Sequence, residues 1–238
     1  MQCYRPVQPV KAMTFDLDDT LYDNGPVIKH ATGALNQRIA AEFPQAAALS
    51  PTQWAHIKQS LILRTPGLAF DMGKLRYESL FIALADDEPD DTARHQAAQQ
   101  LFDCFYAARS DFEIARDVRE VLKVLSQHIP LIAITNGNVD TIKTGIDAYF
   151  TATLHASITR PSKPHRAMFD EAVALLNLTP ENVLHVGDNL EKDVLGAHRA
   201  GLQSAWFAAD RAMNLQHEPV SVLPSVQLAS LHELTWFI

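Results

Sequence analysis

The chain has 238 residues, of which 47% are apolar, and this suits one large globular domain or a core domain with a smaller insertion. Its formal net charge of −8 disfavours a nucleic-acid partner, because binding to a phosphate backbone needs clustered Lys and Arg. Its two cysteines have no metal-like spacing and its N-terminal segment lacks the apolar run of a signal peptide, so we expect a cytoplasmic protein with free thiols and no membrane association.

Short apolar runs along the chain predict the strands of a sheet. The first is Ala12–Phe15, and polar residues follow it at once. The others are Leu131–Ile134, a weaker run at Ala152–His155, Val183–Val186 and Ser204–Phe207. Apolar residues between these runs recur with a helical period and predict helices at Ala115–Gln127, Ala167–Leu178 and Glu191–Ala200. Short buried strands that alternate with helices indicate an open α/β fold with parallel strands.

The segment of residues 24–112 differs from the rest, because it contains no strand-like run. Its apolar residues predict four amphipathic helices, at Val27–Phe43, Thr52–Arg64, Lys74–Ala85 and Thr92–Arg109. A block of about 90 residues is too long for a loop in a compact domain. We therefore predict that residues 24–112 form an all-α domain, called here the helical insertion, and that residues 1–23 and 113–238 form the α/β core.

Polar residues follow the predicted strands at the points where the apolar runs stop. Asp16 and Asp18 come after the first strand, Thr135 comes after the second, and Asp188 comes after Val183–Val186. Because the carboxyl ends of parallel strands meet at one edge of a sheet, these side chains are expected to converge. Asp16 and Asp18 lie two residues apart, so an extended backbone would direct both toward the same side.

The predicted site is strongly acidic. Asp16, Asp18, Asp188 and Asp193 bring up to four negative charges, and Lys163 returns one positive charge. Two carboxylates about 4 Å apart repel each other by roughly 4 kcal/mol at an effective dielectric constant of about 20. Such a cluster persists when one carboxyl group takes up a proton or when a cation binds, and we expect both. Oxygen ligands without a neighbouring His or Cys favour Mg²⁺ as the cofactor.

These residue types predict phosphoryl transfer. Asp16 is the candidate nucleophile, which would form an aspartyl-phosphate, and Asp18 is the candidate general acid and then general base. The third catalytic candidate is Lys163, and Mg²⁺ would be held by Asp16, Asp188 and the backbone carbonyl of Asp18. The phosphate oxygens would be bound by Leu17, Thr135, Asn136, Gly137 and Lys163. Thr20, Asn189 and Asp193 are expected to orient these groups without themselves contacting the phosphate or the metal.

In combination and in this order, four motifs resemble the haloacid dehalogenase superfamily. They are Asp16-Leu17-Asp18-Asp19-Thr20, Thr135-Asn136, Lys163-Pro164, and Gly187-Asp188 with Asp193. The resemblance implies a Rossmann-like, doubly wound parallel sheet, dependence on Mg²⁺ and the residue roles given above. It also implies that the helical insertion is the C1 cap of that superfamily, which selects the substrate.

Within the superfamily, the chain is similar to bacterial phosphatases of riboflavin synthesis. The similarity is carried by Tyr4-Arg5-Pro6, Thr14–Asn24, Ala133–Asn138, Arg160–Pro164 and Leu184–Asp188. It implies that the partner is a small phosphorylated metabolite, either flavin mononucleotide or 5-amino-6-(5-phospho-D-ribitylamino)uracil. Phe70 and Tyr77 in the helical insertion are the first candidates to stack on the flat ring of such a substrate.

Other functions stay open at this point. Each motif alone is typical of ordinary turns and helix caps, so the hypothesis depends on the four in combination. Relatives that attack carbon need neither a second acid nor Mg²⁺, so Asp18 favours a phosphatase over a dehalogenase. A phosphomutase, or another sugar-phosphate or nucleotide phosphatase, would share the same residues. A non-catalytic binding protein is disfavoured, because an unused charge cluster costs stability. The oligomeric state stays open between a monomer and a homodimer.

Overall fold

The computed structural model describes residues 1–238 and is built around one sheet of seven strands. The strands are Gln2–Cys3 (β1), Ala12–Phe15 (β2), Leu131–Thr135 (β3), Ala152–His155 (β4), Val183–Gly187 (β5), Gln203–Trp206 (β6) and Val226–Gln227 (β7). Their order is β1-β7-β6-β5-β2-β3-β4, and only the β1–β7 pair is antiparallel. The predicted α/β class with a parallel sheet is confirmed. The two-residue strands β1 and β7 were not predicted, because so short a pairing leaves no apolar run in the sequence.

Helices cover both faces of the sheet. Successive residues of a strand point to opposite faces, so one strand contributes side chains to both apolar layers. Phe15 belongs to a core cluster that also contains residues of α6 (Arg116–Ser126) and of the C-terminal 3₁₀ helix Leu231–Phe237. Ala12 belongs to a second cluster on the opposite face, with Phe169 and other residues of α7 (Ala167–Leu176). Full burial of a side chain such as Phe15 contributes about 1.5–3 kcal/mol, so both layers fix the central strands.

The helical insertion has its own apolar core. It contains α1 (Asn24–Glu42), α2 (Pro44–Ala47), α3 (Pro51–Arg64), α4 (Met72–Ala83) and α5 (Asp91–Arg109). Residues of α1, α2, α4 and α5 share a buried cluster that includes Leu35, Ala46, Leu80 and Phe105. The division into two domains, and the role of the insertion in selecting a substrate, stay predictions. No helix of the structure is both long enough and apolar enough to cross a bilayer.

Helices α1, α4 and α5 begin slightly earlier than predicted, because aspartate side chains cap their first turns. Asp23 accepts a hydrogen bond from the N–H of Gly25, and Asp90 accepts one from the N–H of Ala93. Ser50 and Gln53 form a capping box at the start of α3. Such caps satisfy N–H groups that have no partner within the helix, and each contributes typically about 1 kcal/mol.

The helix predicted at Glu191–Ala200 is divided in the structure. A π-helical turn spans Leu190–Leu195, and the short helix α8 follows at Gly196–Arg199. The carbonyl of Asn189 accepts from the N–H groups of both Asp193 and Val194, at 2.9 and 3.2 Å, which widens the turn. Turns of this kind are rare and occur frequently at functional sites.

The sheet order places one strand end at a special position. The chain continues from β2 to β3 on one side, whereas β5 lies on the other side of β2. The order of the strands therefore reverses at the carboxyl end of β2. Ligands of open α/β sheets bind at such a reversal, and Asp16 is the residue that directly follows β2.

Candidate active site

Three carboxyl groups meet where β2 and β5 end. Asp16 directly follows β2, Asp188 directly follows β5, and Asp193 lies in the π-helical turn. One oxygen from each lies within 4.8 Å of the others. Asp16 and Asp188 are 8% exposed and Asp193 is 1% exposed. Carboxylates buried this close together need a compensating positive charge.

Lys163 supplies part of that charge. Its Nζ lies 2.7 Å from Oδ1 of Asp16 and 2.6 Å from Oδ1 of Asp193. Burial disfavours the charge of this ammonium group, but the two carboxylates outweigh burial and raise the pKa of Lys163. Burial raises the pKa of Asp16, and the ammonium group opposes that shift. For Asp193, burial is outweighed by Lys163 and His185, so its pKa is lowered and it carries the negative charge.

Asp193 is held by a framework of buried groups. Its Oδ2 accepts a hydrogen bond from the N–H of Asn189 at 3.0 Å, and its Oδ1 lies 3.1 Å from Nε2 of His185. Burial lowers the pKa of His185, and a neutral ring with its proton on Nε2 leaves Nδ1 to accept from Thr14 Oγ1 at 2.8 Å. A Cβ atom at Gly187 would lie 2.3 Å from Cγ of Asp193, so only glycine fits there. These contacts give His185 a structural role.

The loop after β3 is closed by its own polar groups. Thr135 is fully buried, and its Oγ1 accepts from the N–H of Gly137 at 2.9 Å. The carboxamide of Asn136 accepts from the N–H of Lys163 at 2.8 Å and donates to the carbonyl of Lys163 at 3.0 Å. The side chain of Asn136 therefore fixes the backbone of Lys163. Contacts of Thr135, Asn136 and Gly137 with a phosphate group stay predictions.

Asp18 lies outside the cluster of three buried carboxylates. It is partly exposed, and its Oδ1 accepts from the hydroxyl of Tyr22 and from the guanidinium group of Arg109. Its Oδ2 is directed toward the loop after β3, since a Cβ atom at Gly137 would lie 2.5 Å from it. Arg109 is the last residue of α5 and is 1% exposed. The sequence gives no sign of this contact, because a basic residue at the end of a helix is ordinary.

Asp188 is engaged by a second arginine that the sequence did not single out. Arg211 lies in the loop after β6, with Nη1 2.9 Å from Oδ2 of Asp188. Trp206 donates from Nε1 to the carbonyl of Asp188 at 2.6 Å. Burial and the charge of Asp193 raise the pKa of Asp188 to about 6, although Arg211 opposes this shift. Asp188 is therefore held in place by a residue of β6 and by a residue of the loop after β6.

Leu17, which was predicted to bind phosphate, and the supporting residues Thr20 and Asn189 take three different positions. The side chain of Leu17 is fully buried in the core, so only its backbone can face the site. The hydroxyl of Thr20 is buried and has no hydrogen-bond partner in the chain. The Oδ1 of Asn189 accepts from the N–H groups of Glu191 and Lys192, at 3.0 and 2.9 Å, and so caps the π-helical turn.

The two aromatic candidates of the helical insertion differ in their surroundings. The hydroxyl of Tyr77 lies 2.7 Å from Nδ1 of His95, and the rings of Tyr77 and His95 stack within the insertion. Phe70 is half-buried and belongs to none of the apolar clusters. It follows a turn that touches the core, since a Cβ atom at Gly67 would lie 2.9 Å from Cγ2 of Ile158. Of the two, Phe70 is the better candidate to meet a substrate.

A polar cavity of about 180 Å³ lies over the carboxylates. None of its lining residues is apolar, and they include Asp16, Asp18, Thr135, Lys163 and Asp188. The donors of the carboxylate cluster are oxygens only, and the nearby imidazole of His185 is already engaged by Asp193. Such a donor set fits a hard divalent cation such as Mg²⁺.

Comparison with known proteins identifies the family. The model for haloacid dehalogenase-like hydrolases matches residues 10–201. The chain belongs to this family. It is 32% identical to 5-amino-6-(5-phospho-D-ribitylamino)uracil phosphatase YigB of Escherichia coli (strain K12), and the match covers all of both chains. It is 24% identical to human N-acylneuraminate-9-phosphatase, over 94% of this chain and 92% of the relative.

A solved structure gives the same result for the fold. The chain is 31% identical to the crystal structure of a 2-haloacid dehalogenase from Pseudomonas syringae pv. Tomato DC3000, with a TM-score of 0.87. The match covers 96% of this chain and 97% of that one. The predicted superfamily, its Rossmann-like fold and the assignment of the chain as a hydrolase are thus confirmed.

Proposed function

We propose that the chain is a Mg²⁺-dependent phosphatase that hydrolyses a small phosphate monoester through an aspartyl-phosphate on Asp16. The observation that carries the proposal is the position of Asp16 at the reversal of the strand order, 2.7 Å from the buried ammonium group of Lys163. Lys163 engages Oδ1 of Asp16 and leaves Oδ2 for attack. Carboxylate nucleophiles of this kind form covalent phosphoryl intermediates.

The chemistry divides between Asp16 and Asp18. An oxygen of Asp16 attacks phosphorus and the ester P–O bond breaks, while Asp18 gives a proton to the leaving alcohol. Water then attacks phosphorus and Asp18 takes a proton from that water. The P–O bond to Asp16 breaks, which releases inorganic phosphate and restores the carboxylate of Asp16. Asp16, Asp188 and the backbone carbonyl of Asp18 would hold the cation, which when bound neutralises phosphate charge.

The proposed substrate is a phosphorylated intermediate of the flavin pathway, either 5-amino-6-(5-phospho-D-ribitylamino)uracil or flavin mononucleotide. Support comes from YigB, the relative named for the former compound, to which the chain is similar over its entire length. The helical insertion would select this substrate, and Phe70, which belongs to none of the apolar clusters, is the candidate to stack on its ring.

A dehalogenase is the second candidate, because the solved structure of similar fold and 31% identity bears that name. Attack on carbon with loss of halide needs no proton donor for the leaving group. Asp18 lines the polar cavity and its Oδ1 accepts two hydrogen bonds, but a dehalogenase reaction would not use it as an acid. The side chains around Asp18 therefore favour the phosphatase.

A substrate screen tests the proposal. Purified enzyme with Mg²⁺ is assayed for phosphate release from both flavin-pathway compounds, from sugar phosphates and from nucleotides, and for halide release from 2-haloacids. We expect phosphate release, fastest with a flavin-pathway ester, and no halide release. Halide release without phosphate release would overturn the proposal, whereas faster hydrolysis of a sugar phosphate would overturn only the choice of substrate.

A further inference from the structure

We propose that Arg109, together with Tyr22, is a positioning residue that directs one oxygen of Asp18 toward the substrate for proton transfer. The inference depends on the proposed phosphatase reaction, in which Asp18 is the general acid. It adds a residue of the helical insertion to the groups proposed to take part in phosphoryl transfer, which otherwise belong to the α/β core.

The contacts of Arg109 are specific and buried. Its guanidinium group donates from Nη2 to Oδ1 of Asp18, and the same nitrogen lies 3.3 Å from the hydroxyl of Tyr22. Arg109 is 1% exposed and Tyr22 is 9% exposed. The hydroxyl of Tyr22 also donates to Oδ1 of Asp18. Two donors therefore hold one carboxylate oxygen.

The other oxygen of Asp18 has a different environment. Oδ2 is directed toward Gly137, in the loop that together with Asp16 and Lys163 lines the polar cavity. With Oδ1 fixed by Arg109, rotation of the carboxyl group is blocked and Oδ2 stays on the side of the cavity. This separation of an anchored oxygen from a reacting oxygen is what a positioned proton donor requires.

Arg109 and Tyr22 also belong to the two segments that join the helical insertion to the core. Tyr22 precedes α1, and Arg109 ends α5. The ring of Tyr22 packs against Phe112, which follows α5, with ring centroids 4.7 Å apart. Both connections thus converge on Asp18. A shift of the insertion relative to the core would move the two donors and with them the acid.

A purely structural ion pair is the competing explanation. Burying an arginine costs free energy, and Nη1 of Arg109 is buried without a partner in the chain. A pair that only held the insertion to the core would not need an acid that lines the polar cavity as its acceptor. The two explanations predict different dependence on the leaving group, which can be measured.

The test compares two esters in single-turnover experiments with the full-length, Mg²⁺-loaded enzyme. p-Nitrophenyl phosphate has a leaving group that departs without a proton, whereas flavin mononucleotide or ribose 5-phosphate, whichever wild type hydrolyses faster, has one that needs it. For Arg109→Gln we expect phosphoryl transfer to slow by on the order of 10²-fold with the alkyl ester and by less than about 3-fold with p-nitrophenyl phosphate. Arg109→Lys should restore part of the loss.

Further variants keep the test decisive if Arg109→Gln folds poorly. Tyr22→Phe removes only a hydroxyl and should show the same preference with a smaller loss, about 10-fold with the alkyl ester. Adding Arg109→Gln to Asp18→Asn should cause almost no further loss, because both act on one proton transfer. Arg38→Gln is the control for loss of an exposed arginine of the insertion, since Arg38 of α1 donates to the carbonyl of Gln100 of α5 at 3.2 Å without contacting Asp18.

Two results would contradict the proposal in distinguishable ways. Equal losses with both esters, or no loss with either, would overturn the positioning role of Arg109 and leave the phosphatase intact. Wild-type enzyme without activity on either ester would overturn the proposed function, and the role of Arg109 with it.

Discussion

Asp16 and Asp18 lie two residues apart, yet different parts of the molecule hold them. Asp16 is fixed by Lys163, which is in turn held by Asp193 and Asn136, and all of these belong to the α/β core. Asp18 is fixed by Tyr22 and Arg109, at the two connections to the helical insertion. The proposed nucleophile thus depends on the α/β core alone, whereas the proposed proton donor also depends on the helical insertion. Variants of each group should separate these dependences.

The largest effect is expected from a change of the proposed nucleophile. Asp16→Asn should lower turnover by at least about 10³-fold with every ester, because the attacking oxygen is lost. Phosphate release and circular dichroism are the measurements, and the spectrum should match wild type. Residual activity within tenfold of wild type would remove Asp16 from the role of nucleophile.

Removal of the cation should be almost as severe. Dialysis against EDTA should abolish phosphate release, because the carboxylates of Asp16 and Asp188 then repel the substrate phosphate. Added Mg²⁺ should restore the rate in a saturable manner. An unchanged rate in EDTA would show that Lys163 and Arg211 neutralise the site sufficiently without a metal.

The framework behind Asp16 should affect both stability and activity. Asp193→Asn removes the buried partner of Lys163 and of His185, and we expect the free energy of unfolding to fall by about 3 kcal/mol and turnover by about 10²-fold. Urea unfolding and phosphate release measure the two effects. Asp170→Asn is the control, since its exposed pair with Arg166 should leave stability unchanged. Equal stability of the two variants would contradict the framework.

Two glycines test the comparison between Asp16 and Asp18. A methyl group at Gly137 would collide with Asp18, and one at Gly187 would collide with Asp193, which holds the lysine partner of Asp16. Gly137→Ala should displace Asp18 and lower activity by about 10-fold with an alkyl ester, with little effect on stability. Gly187→Ala should displace buried Asp193 and lower stability by about 1–3 kcal/mol. Gly33→Ala, in α1 where nothing lies within 4 Å, should stabilise the protein by up to about 1 kcal/mol. Unfolding midpoints and initial rates give both readouts, and reversed effects of the first two variants would refute the division.

The sequence predicted those parts of the fold that depend on local patterns. Buried parallel strands leave apolar runs such as Ala12–Phe15, and polar residues at the strand ends converge because the strands are parallel. Helix starts were displaced because Asp23, Asp71 and Asp90 cap turns that carry no apolar period. The π-helical turn at Leu190–Leu195 depends on one shared carbonyl acceptor, which no periodicity records.

The contacts that the sequence could not predict are those between distant segments. Arg109 is 91 residues from Asp18, and Arg211 is 23 residues from Asp188. Neither arginine lies in a motif, and arginines are ordinarily solvated. Only the packing of α5 and of the loop after β6 against the site gives them partners.

The proposed function requires that Asp16 carries the phosphoryl group during turnover. Its most direct test is to mix Asp18→Asn enzyme with p-nitrophenyl phosphate and Mg²⁺, quench in acid and locate the phosphoryl group by peptide mass spectrometry. This variant can still accept the phosphoryl group from p-nitrophenyl phosphate, because the leaving group of that ester needs no proton. It lacks the base that activates water for the second step. We predict phosphorylation of Asp16; a phosphoryl group on another residue, or nitrophenol release in excess of enzyme with no phosphorylated peptide, would contradict the account.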